Sequence, residues 1–370
     1  MPKSGAATLP LHGGSAPRWL FDRMEELGDA IAQVIVDEYG RDELLKRLAD
    51  PYWFQAFGCV LGFDWHSSGL TTTTMGALKE ALDPEQHGVA VLGGKGGTSR
   101  KTPQELEELE AVYNLRSAAT ERLQRSSRLS AAVDNGCVQD TYTLYHHTFV
   151  VTEDGRWAVV QQGMGEEAAR RYHWLSDEVD GFVEQPQTGI AAMEQEDNVL
   201  DLSAAPSQEA RQVSVDLVND DPRHLKPYVT GQTSLDSFRG GRQMPDLTMP
   251  RHHRLREADL TERSVKQLRE AYEWQPADYE ELVDMDGIGP KSLRALALIA
   301  ELVHDAETSR EDPAKFAYAH GGKDGTPYPV DRDRYDESIR HLKQAVGQAE
   351  VGREEKKEAL QRLADRHRDI

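Results

Sequence analysis

Residues 282–303 read LVDMDGIGPKSLRALALIAELV, with Gly-Ile-Gly-Pro-Lys at the centre. Two glycines permit a tight turn and let a partner's backbone approach closely. A helix that starts just after them leaves unpaired N–H groups directed outward, which forms an anion site. Backbone N–H groups carry no base preference, so such a site positions a nucleic-acid backbone without reading its sequence. Gly287, Ile288, Gly289, Lys291 and Ser292 are the candidate DNA contacts.

The first half of the chain offers other chemistry. Asp64, His66 and Ser67 end an aromatic segment, and His146, His147, Arg170, Arg171 and His173 flank a β-hairpin pattern. Lys95, Ser99, Arg100 and Lys101 lie in GGKGGTSRK, which lacks the Gly-Lys-Ser/Thr ending of a P-loop. Two readings stay open for that segment: a phosphate cradle built on Lys95 and Arg100, or a plain loop. A metal-dependent nuclease would use Asp64, Asp134 and Asp140 as hard ligands, without a compact diagnostic spacing. Adjacent His146 and His147 on one strand would point to opposite faces and so would not share one metal. No cofactor is expected, and a divalent metal enters only with the nuclease alternative.

The elements that must position these groups are readable in outline. Leu20, Met24, Leu27, Ile31, Val34 and Ile35 form an apolar stripe of helical period, which Tyr39-Gly40 interrupts. GVAVL at 88–92 predicts a buried strand running into the glycine-rich loop. Thr102-Pro103-Gln104-Glu105 is a capping box with proline at the first helical position, and predicts a helix from Pro103 to about Leu129. Aromatic and β-branched runs flank Asp154-Gly155, which predicts a hairpin over 142–162. Val213 to Leu217 looks strand-like. Helical patterns return at 258–274, 277–284 and 291–304, and a charged helix spans about 334–367 with an interruption at Gly347 or Gly352. The expected fold is α+β. A mixed α/β domain with a β-hairpin covers 1–217, a connection covers 218–250, and an all-helical helix-hairpin-helix domain covers 251–370.

Composition sets limits. Acidic residues number 64 against 43 basic ones, a formal charge of −21, which suggests a salt-adapted, halophilic surface. At molar salt the Debye length falls to about 3 Å, so distant carboxylates no longer repel DNA and short hydrogen bonds decide binding. No apolar run approaches the roughly 20 residues a membrane span needs, so a cytoplasmic protein without a membrane partner is expected. Cys59 and Cys137 sit in apolar stretches outside any Cys-x-x-Cys pattern and read as reduced core residues.

Two resemblances add to this. The strings TLPLHGGSAPRWLFDRM, WFQAFGCVLGFDWHSSGLTTTTMGALKEAL, YHHTFVV, RRYHWLS and FAYAHGGKDGTPYPVDR resemble the archaeal and bacterial family known as domain of unknown function seven-six-three. EELVDMDGIGPKSLRALALIAELV, followed later by PYPVDRDRYDESI, resembles the helix-hairpin-helix region of the endonuclease III-like glycosylase/lyase superfamily. That resemblance puts the family lysine on Lys291 and the family aspartate on Asp331, and implies DNA repair by lesion excision or abasic-site cleavage. The lysine amine would attack the aldehyde carbon of an abasic site, form a Schiff base and permit β-elimination. Asp331 would orient the amine or stabilise cationic sugar character. A non-catalytic DNA-binding module and the metal-dependent nuclease are the alternatives.

Overall fold

The computed structural model describes residues 17–63, 68–166, 168–192, 195–220, 262–317, 332–349 and 351–367. The fold is α+β, a largely antiparallel sheet with helices packed on both faces.

On the first face lie α1 (Arg18–Tyr39), α2 (Arg41–Ala49), α3 (Pro51–Val60) and α4 (Gly69–Ala81), followed by the short α5 (Pro84–His87). The stripe read from sequence drives α1, because Met24, Leu27, Ile31 and Ile35 are all buried. Asp50 starts α3 by accepting from the N–H groups of Tyr52 and Trp53 at 2.8 and 3.1 Å, with Pro51 at the first helical position. All ten residues of α3 are buried, so it is the central helix of this layer. The charged C-terminal helices α12 (Arg332–Gln348) and α13 (Arg353–His367) join the same core through Leu342, Val346 and Leu363. α12 ends at Gln348 and α13 begins at Arg353, so Gly347 falls inside α12 and Gly352 directly precedes α13.

The principal sheet contains β1 (Val89–Lys95), β3 (Thr143–Thr152), β4 (Trp157–Met164), β5 (Ala169–Leu175), β6 (Gly189–Ala192) and β8 (Phe316–Ala317) in that spatial order. All neighbours are antiparallel except β6 and β8. A separate ladder pairs β2 (Val138–Gln139) with β7 (Leu200–Asp201). The hairpin expected at Asp154-Gly155 is present between β3 and β4.

The second face is covered by α6 (Thr102–Tyr113), α7 (Ser117–Gly136), α8 (Gln208–Asn219), α9 (Glu262–Trp274), α10 (Tyr279–Asp284) and α11 (Pro290–His304). Leu282, Ile288, Leu293 and Leu296 share one apolar cluster with Leu129, Phe149 and Trp174. The C-terminal helices are thus divided between the two cores, α9–α11 on one side of the sheet and α12–α13 on the other.

Three local expectations change. The helix expected from Pro103 to Leu129 is two helices, because Asn114 turns left-handed at φ 50° and ends α6. Val213 to Leu217 is helical, since Ala210, Ser214, Val215 and Val218 bury one face at helical spacing. β1 continues to Lys95, past the point where a loop was expected. It can do so because Gly93, at φ 79°, lies so close to the carbonyl of His147 that a Cβ would collide with it. The Gly93 backbone is further held by Glu105 Oε2, which accepts from its N–H at 2.6 Å, and by Lys79 Nζ, which donates to its carbonyl at 2.8 Å.

Candidate functional site

Cross-strand register converts the sheet into rows. Toward α1–α4, the row Val91, Val150, Ala158, Leu175 is apolar. Two rows further along, the aligned residues are Lys95, His146, Gln162 and Arg171. The opposite face repeats the change, from Leu92, Phe149, Val159 and Trp174 to Gly94, His147, Gln161 and Tyr172. One end of the sheet therefore binds its helices by hydrophobic contact, and the other end is a buried polar layer.

On the α7 side this layer is fully wired. Asp134 accepts from Gln161 Nε2 at 2.6 Å, Trp174 Nε1 at 2.8 Å and Gln187 Nε2 at 2.7 Å. Gln161 Oε1 lies 2.9 Å from His147 Nδ1, and Ser127 Oγ lies 2.8 Å from His147 Nε2. The order hydroxyl, imidazole, amide, carboxylate could activate a nucleophile. Ser127 and His147 are both buried, however, so the chain acts as a strut between α7 and the sheet. Burial pushes the Asp134 carboxyl up to about 8 against its three donors. Burial takes His147 down to about 4.

Beside it, Arg170 joins two carboxylates. Its Nη1 donates to Asp140 Oδ2 at 3.0 Å, while Nη1 and Nη2 reach Asp312 Oδ1 and Oδ2 at 2.9 and 2.7 Å. Tyr172 donates to Asp140 at 2.6 Å, and the guanidinium lies 4.7 Å from the Tyr142 ring centroid. Burial raises Asp140 to about 6, with Arg170 opposing the rise. A cavity of about 430 Å³, whose wall includes Asp312, Asp201 and Lys315, lies next to this group.

On the α3 side, Arg171 donates to His173 Nε2 at 2.6 Å, Gln55 Oε1 at 2.8 Å and the Pro51 carbonyl at 3.0 Å. His146 and His147 do point to opposite faces, as strand alternation requires.

The proposed metal ligands fare differently. Asp64, His66 and Ser67 lie outside the described residues. Asp134 and Asp140 are surrounded by N–H and O–H donors, which occupy the lone pairs a cation would need. Among the described residues no group of three or more His, Cys, Asp or Glu side chains could hold a metal ion.

The segment 285–289 links α10 to α11. Gly287 is exposed at φ 89°, and a Cβ built there would lie 2.7 Å from Gln267 Nε2. Gly289 precedes α11 without a side-chain cap on the helix, and a Cβ there would meet nothing within 4 Å. Lys291 is exposed, whereas Ile288 and Ser292 are buried; the Ile288 N–H donates to the Met285 carbonyl at 3.2 Å, so of the two only Ser292 has a backbone N–H to offer a ligand. Gln139 ties the turn to β2 by donating to the Pro290 carbonyl at 2.9 Å. Asp284 and Glu280 on α10 are taken up by Arg128 and Arg125 of α7, with Arg128 Nε donating to Asp284 Oδ1 at 2.6 Å and Arg125 Nη1 to Glu280 Oε1 at 2.8 Å. Lys95 and Arg100 are both exposed, Lys95 at the end of β1 and Arg100 in the 3₁₀ turn that follows. Asp331 lies outside the described residues.

Gly287→Ala is expected to destabilise the chain by about 1–3 kcal/mol, through left-handed strain and displacement of Gln267. Urea denaturation would measure it, and an unchanged midpoint would show that the turn tolerates a side chain.

Asp312, Ser127 and Gln187 were not anticipated from sequence. Only distant pairing makes them part of the polar layer.

These features define an α+β protein with a buried polar layer at one end of its sheet and an exposed glycine turn on its second helical layer. The chain belongs to the family described as protein of unknown function (DUF763), which matches residues 5–330. No curated protein and no solved structure matches it.

Proposed function

We propose that this chain binds the DNA backbone through the turn 285–289 and the start of α11, acting in DNA repair or processing. The observation that supports it most directly is the open N-terminus of α11, which has no side-chain cap and begins beside an exposed lysine. N–H groups and the helix dipole there favour a phosphate. The ion pairs of Arg125 and Arg128 with Glu280 and Asp284 reduce the negative charge that a phosphate would meet on α10. Lys291 then contributes a phosphate contact. The chemical extension of the reading is Schiff-base formation by Lys291 at an abasic site, with Asp331 as its partner.

Fluorescence anisotropy of a labelled duplex against salt concentration tests the binding. Lys291→Ala should weaken affinity uniformly across sequences and reduce the salt slope by about 0.9. Unchanged affinity and slope in that variant would remove Lys291 from the interface. Borohydride treatment with abasic DNA separates the two roles of the lysine. A covalent adduct lost in Lys291→Ala marks a lyase, and binding without an adduct marks a scaffold.

A further inference from the structure

We propose that Lys95, Tyr145 and His146 form a binding site for a phosphate-sized oxyanion at the polar end of the sheet, with Gln162 holding the Tyr145 hydroxyl. The proposal does not depend on the DNA-binding turn.

The site begins with a local irregularity. Pairing of β3 with β4 shifts register between Leu144 and His146, so Tyr145 is the additional residue of a bulge. Bulges re-aim side chains and concentrate beside functional sites. Here the bulge turns Tyr145 to the side of the sheet that carries His146 and Gln162. The Tyr145 hydroxyl accepts from Gln162 Nε2, and Gln162 also donates to the Ser68 carbonyl at 2.7 Å. Lys95 lies directly opposite His146 on β1, with its Nζ 5.9 Å from the Tyr145 ring centroid.

His146 is the second observation. Its side chain is 1% exposed, and neither ring nitrogen has a hydrogen-bond partner. The other two histidines of these strands are engaged, His147 by Ser127 and Gln161, and His173 by Arg171 and the Leu48 carbonyl. A buried polar group without a partner requires a reason, because leaving it unmade is unfavourable. With Lys95 opposite it on β1, an imidazole N–H left without a partner is a donor for an anion.

Charge selects the ligand class. Lys95 is exposed, and no carboxylate among the described residues forms an ion pair with it, in a chain of net charge −21. Burial, followed by His147 and then Lys95, holds His146 far below its ordinary range, at about 3, so the ring is neutral and keeps one N–H to donate. A cation would face the Lys95 ammonium with one neutral imidazole as its ligand. An oxyanion would satisfy Lys95 and His146 together. Its size is restricted, because His146 is buried and Tyr145 beside it is half-buried.

The test is titration of the full chain with inorganic phosphate at fixed ionic strength, read by calorimetry and by the ring-nitrogen resonances of His146. Saturable binding is expected, with the His146 resonances moving on titration. Lys95→Met should weaken binding by about tenfold or more, the scale of a charge-assisted hydrogen bond. His146→Gln should weaken it as well, and Lys95→Met keeps the test informative if the buried variant fails to fold. A 5′-phosphorylated oligonucleotide, compared with its unphosphorylated counterpart, distinguishes the end of a nucleic acid from a free phosphate as the source. No saturable binding of either phosphate probe, or binding undiminished by Lys95→Met, overturns the proposal.

Discussion

Arg170→Met is expected to cost about 3–5 kcal/mol, the scale for removing one partner from a buried ion pair. The cost would come from what remains. Asp140 and Asp312 are each at most 3% exposed, and both direct carboxylate oxygens at the guanidinium. Without it, each must become protonated or remain charged in a low-dielectric interior. The damage should spread along the chain, because Asp312 also accepts from the N–H groups of Ala314 at 2.9 Å and Glu196 at 2.7 Å. That arrangement holds the segment before β8 against the edge of the sheet. Urea denaturation would report the loss, and proteolysis between 305 and 317 should accelerate at the same time. The triple variant Arg170→Met, Asp140→Asn, Asp312→Asn separates mechanisms. If orphaned charge is the cause, it recovers much of the stability, whereas a triple variant as unstable as the single one would assign the loss to packing around Tyr142.

The charge pair was divided between what a sequence can and cannot reveal. Arg170 stands out in a strand pattern, since a cation at a buried register position needs a partner. Nothing local marks Asp312, which lies 142 residues away. The same division runs through the fold. The stripe in α1 and the hairpin at Asp154-Gly155 are legible because period and turn chemistry are local properties. Val213 to Leu217 was misread because β-branched residues suggest a strand, while burial at 210, 214 and 218 selects a helix. The continuation of β1 to Lys95 depends on Gly93 approaching the His147 carbonyl, a contact between segments that the sequence does not place together. The bulge at Tyr145 is a mismatch between β3 and β4, and pairing alone exposes it. The glycines at 287 and 289 were legible for the opposite reason, because an exposed turn states its backbone requirement in its own residues.

Stability should pass through a maximum near pH 6.5, with opposite residues responsible for the two sides. The ordinary value for a histidine is 6.5, and burial holds His146 at about 3, His147 at about 4 and His173 well below its usual range. Their folded values are depressed, so the unfolded chain binds more protons below pH 6.5, and stability is lost as pH falls. Asp134 and Asp140 act in the reverse sense. Their folded values rise from 3.8 to about 8 and about 6, so their contribution is full below 3.8 and disappears as pH rises through those values. Burial raises Asp201 as well, so at the acid end three histidines oppose three aspartates, and the histidines set the slope as pH approaches 6. Above about pH 7.5 the histidines have largely finished titrating and Asp134 dominates, so the slope approaches a loss of about 1.4 kcal/mol per pH unit until about pH 8. Asp134→Asn removes that alkaline limb. The asparagine oxygen can still accept from Trp174 and Gln161, and Gln187 can turn its own oxygen toward the new NH₂ group, so the variant should fold. Between pH 6.5 and 8.5 the stability measured by urea unfolding should fall by about 2 kcal/mol relative to the change in the variant. Equal slopes in both proteins would show that Asp134 is already ionised at neutral pH, with its three donors outweighing its burial.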